Sequence, residues 1–182
     1  MNNTNLRKFI RLIHNKIIKI DDFYLMGYSG EPLKNFEKDN PKGIDILGFP
    51  IWWSSKNVHA FGEKEIYENL LNNARRLNPK KVILITHSPP HRILDKINDK
   101  FIDWAVKSYG ESVRDGHIGS TGLKKFDNKF KPLMHIFGHI HEARGIVRNE
   151  TFFINTGSVD EYSEVVEIEI KNNKINAKFI KI

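Results

Sequence analysis

Pro132-Leu133-Met134-His135-Ile136-Phe137-Gly138-His139-Ile140-His141 is the stretch whose reading decides the fold. Leu133 to Phe137 is an apolar run of strand length, introduced by proline and ended by glycine. Two histidines, two residues apart, follow directly. Upstream the same arrangement occurs once more: the run Val82-Ile83-Leu84-Ile85 ends in Thr86-His87-Ser88-Pro89-Pro90-His91. Two strands, each tipped with histidine, organise the chain.

Outward from these strands the elements follow from periodicity and punctuation. Gly62 to Leu77 carries Ile66, Leu70, Leu71 and Ala74 at helical spacing, and Asn78-Pro79 stops it. Lys81 to Thr86 is then the first histidine-tipped strand. Between the two strands, helices are expected over Asp99 to Ser108 and over Ser120 to Lys129, the latter with Leu123 and Phe126 inward. Toward the N-terminus, Asn5 to Asn15 reads as an amphipathic helix. Ile17 to Ile20 and Phe23 to Gly27 read as a hairpin around Asp21-Asp22, Tyr28 to Pro32 as a loop, and Asp45 to Phe49 as extended. Beyond the second strand, Gly145 to Arg148 and Thr151 to Ile154 form a hairpin, and Asn155-Thr156-Gly157-Ser158 is a tight turn. A last hairpin pairs Val165 to Ile170 with Lys174 to Ile182, with Val166, Ile168 and Ile170 on one buried face. Strand–helix–strand segments followed by hairpins predict an α/β fold: a mixed β-sheet with helices on one side. There is no internal repeat, low-complexity tract or linker, so residues 1–182 read as one domain.

Composition narrows the chemistry. Hydrophobic residues make up 40% of the chain, enough for a real core, and no stretch is long and apolar enough to span a membrane. The polar start Asn2-Asn3-Thr4-Asn5 lacks a basic-then-apolar leader, so a soluble, cytoplasmic protein is expected. Cysteine is absent, which excludes disulfides, thiol nucleophiles and thiolate metal sites. The formal charge of +7 favours anionic partners. Lysine is scattered without a basic stripe, so nucleic acid is admitted as a partner but not favoured over a small phosphate ester.

No G-x-S-x-G, Walker-type loop or G-x-G-x-x-G occurs. The remaining signal is histidine. Five of the eight (His87, His91, His117, His139, His141) fall at strand ends or in the segment between the two strands. Ligands of α/β sheets gather outside the carboxyl ends of strands. If the two strands are neighbours, His87, His139 and His141 can share a site, and imidazole presents a neutral nitrogen to a metal.

Thr86-His87-Ser88-Pro89-Pro90, Gly138-His139-Ile140-His141 and Asn155-Thr156-Gly157-Ser158, in this order, resemble the C-terminal half of the calcineurin-like metallophosphoesterases. The element Gly116-His117-Ile118-Gly119-Ser120 and the tract Lys131 to Gly145 resemble a largely prokaryotic subgroup related to cyclic-nucleotide phosphodiesterases. The resemblance runs from about Ile17 onward. It implies a mixed β-sheet sandwich flanked by helices, with two divalent metal ions (manganese, iron or zinc) about 3.5–4 Å apart clamping a phosphate ester. Carried over, His87 and His139 would bind one metal and His141 the other. His91 and His117 would lie near the substrate as phosphate contacts.

The family's earlier motifs are missing on the N-terminal side: no D-x-H occurs before His87, and G-D-x-x-D and G-N-H-[DE] do not occur. The resemblance therefore implies a domain truncated on its N-terminal side, its exposed sheet edge covered by an upstream polypeptide or by self-association. Two classes of function follow. One is a metal-dependent phosphoesterase acting on phosphate mono- or diesters, with a metal set completed by residues outside the chain. The other is a non-catalytic remnant or scaffold that binds a partner protein.

Overall fold

A computed structural model describes residue 13 and residues 15–28, 63–171 and 174–182. The expected N-terminal helix (all but Ile13 and Asn15), the loop after Tyr28 and the extended segment at 45–49 lie outside these residues.

Strands β1 (Lys16–Ile20) and β2 (Phe23–Tyr28) form the expected hairpin. β3 (Val82–Thr86), β4 (Met134–Phe137), β5 (Gly145–Arg148) and β6 (Phe152–Asn155) complete a six-stranded sheet of order β1-β2-β3-β4-β6-β5. β2, β3, β4 and β6 run parallel; β1 and β5 close the two sides antiparallel. The helices are α1 (Glu63–Ala74), α2 (Ile102–Tyr109), α3 (Thr121–Phe130) and the short α4 (Val159–Tyr162). α4 had no counterpart among the expected elements: one turn is too short for periodicity to mark. β7 (Glu164–Lys171) and β8 (Lys174–Lys181) pair as a separate two-stranded sheet.

The alternation of β3 explains the layering. Val82 and Leu84 face one side with Met26 and Tyr28, and pack against Ile66, Leu70 and Ala74 of α1 and Leu123 and Phe126 of α3. Ile83 faces the other side with Met134, Ile136, Phe152 and Ile154, under Val166, Ile168, Ile170 and Ala177 of the second sheet. The result is the mixed α/β architecture expected from the sequence: helices, a mixed sheet, and a second sheet stacked on it. Among the described residues no helix is long and apolar enough to cross a membrane.

Helix α3 is anchored at both ends. The Ser120 hydroxyl accepts from the Leu123 amide at 3.1 Å as N-cap. Glu63, from the first turn of α1, accepts from the Ser120 hydroxyl (2.6 Å) and from the Thr121 and Gly122 amides (3.0 and 2.6 Å). This satisfies the otherwise orphaned donors of that terminus and sets a negative charge at its positive pole. Gly122 permits the approach, because a Cβ there would stand 2.2 Å from the Glu63 carbonyl oxygen. At the other end Lys131 adopts the left-handed conformation and donates to the Asp127 carbonyl at 2.9 Å, and Pro132 follows. The segment carrying His117 and the strand leading to His139 are thus held by the two ends of one helix.

Candidate functional site

The candidate residues lie in the loops leaving the carboxyl ends of β3, β4 and β6, where an open α/β sheet binds its ligands. The Gly138 amide donates to the His87 carbonyl at 3.1 Å, and the Thr156 amide to the Phe137 carbonyl at 2.9 Å, so the three loops leave the sheet tied to one another. Asn155, fully buried, adds a staple: its side-chain amide donates to the carbonyls of Leu94 (3.0 Å) and Ile140 (2.9 Å), and its oxygen accepts from the Gly157 amide (3.0 Å). The Asn-Thr-Gly-Ser turn is therefore the joint between the loops.

His87 and His139 are brought together. Their rings meet edge to face with centroids 4.7 Å apart. His139 reaches this position through an uncommon backbone: its φ is +68°, and the Ile140 amide donates to the Gly138 carbonyl at 2.8 Å across it, closing a three-residue γ-turn. A non-glycine residue held there costs on the order of 1–3 kcal/mol, and such outliers concentrate where side-chain placement matters. Arg92 (φ +60°) and Leu94 (φ +50°), in the loop after β3, share this left-handed conformation.

His141 is held separately. Its Nδ1 lies 2.7 Å from the Glu161 carboxylate of α4, and the Tyr162 hydroxyl donates to its carbonyl at 3.2 Å. Arg144 locks the same loop to the second sheet: its guanidinium lies 4.5 Å from the Tyr162 ring centroid and 4.6 Å from that of Phe179, and pairs with Glu164. Among the described residues no three His, Asp or Glu side chains converge closely enough to hold a metal ion. His87 and His139 offer two imidazole donors, the nitrogen chemistry that suits manganese, iron or zinc. The set fits one ion in donor type and is incomplete in donor number among the described residues.

His91 and His117 form a second ring pair, with centroids 6.0 Å apart. Between them lies Asp95, its side chain 1% exposed. Oδ1 stands 2.7 Å from His117 Nδ1, Oδ2 accepts from the amides of Arg92 (2.8 Å) and Gly119 (3.0 Å), and His91 Nδ1 stands 3.8 Å from Oδ2. Glycine at 119 is obligatory, since a Cβ would meet Asp95 Oδ2 at 2.7 Å and the Pro90 carbonyl oxygen at 2.8 Å. Asp115 borders the pair. The His117 amide, then the Arg92 guanidinium, donate to its carboxylate and hold its pKa below the ordinary range.

Beneath β3 and β4 sits a polar group buried in the helix-facing core. His135 Nδ1 lies 2.9 Å from Asp127 Oδ2, and Nε2 lies 2.8 Å from the Thr86 hydroxyl, which itself donates to the Ser88 carbonyl at 2.6 Å. Since the hydroxyl hydrogen is taken by Ser88, Thr86 accepts from His135 Nε2–H. In the sequence His135 reads as part of an apolar run and Asn155 as the start of a tight turn, and neither Asp95 nor Asp127 stands out. The only available signals were a polar residue inside that run and an aspartate close behind His91.

No family model matches the chain. Among curated proteins it is similar to a UPF0046 protein of Caenorhabditis elegans, 25% identical over 162 residues, covering 88% of this chain and 42% of that protein. It is 34% identical over 74 residues to the bifunctional protein GlmU of Buchnera aphidicola, covering 41% of this chain and 16% of that protein. The chain spans less than half the length of either relative. One solved crystal structure matches with a TM-score of 0.55 at 20% identity, over 93% of this chain and 54% of that one, which is a likeness of fold.

Proposed function

We propose that the chain acts in metal-dependent hydrolysis of phosphate mono- or diesters, as a phosphoesterase of the calcineurin-like kind. The observation that carries this reading is the convergence of His87 and His139 at the ends of two adjacent parallel strands, through the Gly138–His87 backbone bond. The UPF0046 similarity and the mixed α/β fold support it. So does the order of the three motifs at residues 86–90, 138–141 and 155–158.

In this reading His87 and His139 hold one divalent ion, and His141, oriented through Nδ1 by Glu161, is a ligand of a second. The ions supply Lewis-acid stabilisation of the charge that gathers on the phosphoryl oxygens. His91 and His117 contact the phosphate, and Asn155 keeps the loops at the spacing the histidines require. The alternative is a scaffold that retains the fold and binds a partner protein without turnover. The shortage of ligands among the described residues favours it.

The test is hydrolysis of bis-p-nitrophenyl phosphate by the full chain with Mn²⁺, alongside calorimetric titration with Mn²⁺ and Zn²⁺. Chelator-sensitive turnover and metal binding, both abolished by His139→Ala, are expected. Absence of both from the chain, alone and joined to an upstream segment that supplies the family's earlier motifs, would select the scaffold.

A further inference from the structure

Asp95 and His117 have the construction of an oriented proton-transfer dyad, on a segment bonded to the turn that begins at His87. The carboxylate is buried, and one oxygen is occupied by the Arg92 and Gly119 amides. A carboxylate so placed is an acceptor, so its other oxygen takes the Nδ1 proton of His117 at 2.7 Å. Nδ1 is thereby committed, and Nε2 is the nitrogen that gains or loses a proton. The His117 side chain is 26% exposed, so the ring is not sealed from solvent. This is how a buried carboxylate fixes tautomer and orientation in a general acid or base.

Two further observations bear on where the dyad acts. The turn 87–91 is shared between the ring pairs: His87 begins it and His91 ends it, no more than about 14 Å apart by chain length alone. That turn is pinned to the His117 segment by Ser120 N–H to Pro89 O (2.8 Å) and His91 N–H to Ser120 O (2.9 Å), and to the His139 loop by Gly138 N–H to His87 O (3.1 Å). The other titratable groups around His117 among the described residues are His91, Arg92, Asp115 and Lys96, whose backbone bridges to His117.

We propose that His117, oriented by Asp95, is the proton donor to the leaving oxygen of the phosphate ester, which suits the site to esters of poor, alkyl-like leaving groups. The inference rests on the phosphoesterase reading. As the bond from phosphorus to the leaving oxygen breaks, its electron pair stays on that oxygen, which takes the proton from Nε2. The water that attacks phosphorus releases a proton to solvent, and Nε2 regains one from solvent, so the ester and water become alcohol and phosphate with no net change in the protein.

The test compares diphenyl phosphate, whose leaving phenoxide needs a proton, with bis-p-nitrophenyl phosphate, whose leaving group needs it far less, using the full chain with Mn²⁺. His117→Asn is expected to lower kcat on diphenyl phosphate by about a hundredfold or more. The drop on bis-p-nitrophenyl phosphate should be at least tenfold smaller, and Asp95→Asn should show the same ordering. Equal losses on the two esters would overturn the proposal while leaving the phosphoesterase reading intact. Inactivity on both esters of the chain, alone and joined to an upstream segment that supplies the family's earlier motifs, would remove that reading, and the proposal with it. Independently of turnover, the long-range ¹⁵N–¹H spectrum of the metal-free chain should show the His117 proton on Nδ1; a neutral ring protonated at Nε2 alone overturns the role of Asp95.

Discussion

The amide of Gly138 donates to the carbonyl of His87 at 3.1 Å, two residues beyond the last paired residues of β3 and β4, Ile85 and Ile136. That bond extends the parallel ladder past the sheet. It fixes the distance between two loops, and so between two imidazoles. The neighbouring interactions each lead to a measurable consequence.

The γ-turn at His139 stores strain that glycine would not carry. His139→Ala and His139→Gly both remove the imidazole, but only glycine adopts φ near +68° without penalty. His139→Gly should exceed His139→Ala in stability by about 1 kcal/mol. Urea denaturation of the two metal-free variants checks this, and equal midpoints would count against strain at this position.

Asn155 serves three loops with one side chain. Asn155→Ala leaves the Leu94 and Ile140 carbonyls and the Gly157 amide without their partner. Buried polar groups left unmet cost about 1–3 kcal/mol each where water cannot replace the partner. The variant should lose about 3 kcal/mol in chemical denaturation and lose amide protection at Gly157. A loss below about 1 kcal/mol would show that the staple is dispensable.

The buried pair of Asp127 and His135 depends on mutual satisfaction. His135→Phe strands a fully buried carboxylate that already has one oxygen without a hydrogen-bond partner. It should cost about 3–5 kcal/mol, and the double variant with Asp127→Leu should recover most of the loss. The double variant still removes the donor to Thr86, so increased hydrogen exchange in the 86–88 turn should persist after stability returns. A double variant as unstable as the single one would contradict the pairing.

Asp115 sets an acid limit on the His91/His117 segment. Its folded-state pKa is depressed, chiefly by the His117 amide and then by Arg92. The stabilisation is therefore present above the unfolded value of about 3.9 and is lost as pH falls from there through the folded value. Asp115→Asn should flatten the fall in stability below about pH 4, with little change near neutrality. An unchanged acid limb in pH-dependent thermal melts would refute the assignment.

The described strands, the three longer described helices and the histidine tips are legible in the sequence, because they depend on local chemistry. Alternation marks Val82 to Thr86, helical spacing marks Ile66, Leu70 and Ala74, and Pro132, Gly138 and Asn78-Pro79 punctuate them. The motifs at residues 86–90 and 138–141 carry the candidate ligands His87, His139 and His141 without any coordinates. Tertiary structure alone decided how they combine. His87 and His139 meet because β3 and β4 are adjacent, whereas His141 is turned toward Glu161 on a one-turn helix that periodicity does not mark. Asp95 faces His117, Asp127 faces His135, and Glu63 closes the terminus of α3 from another helix. Each pairing joins residues whose approach is set by sheet order, close glycine contacts and the satisfaction of buried polar groups. A local pattern carries periodicity and propensity, but not which distant donor will be buried against which acceptor.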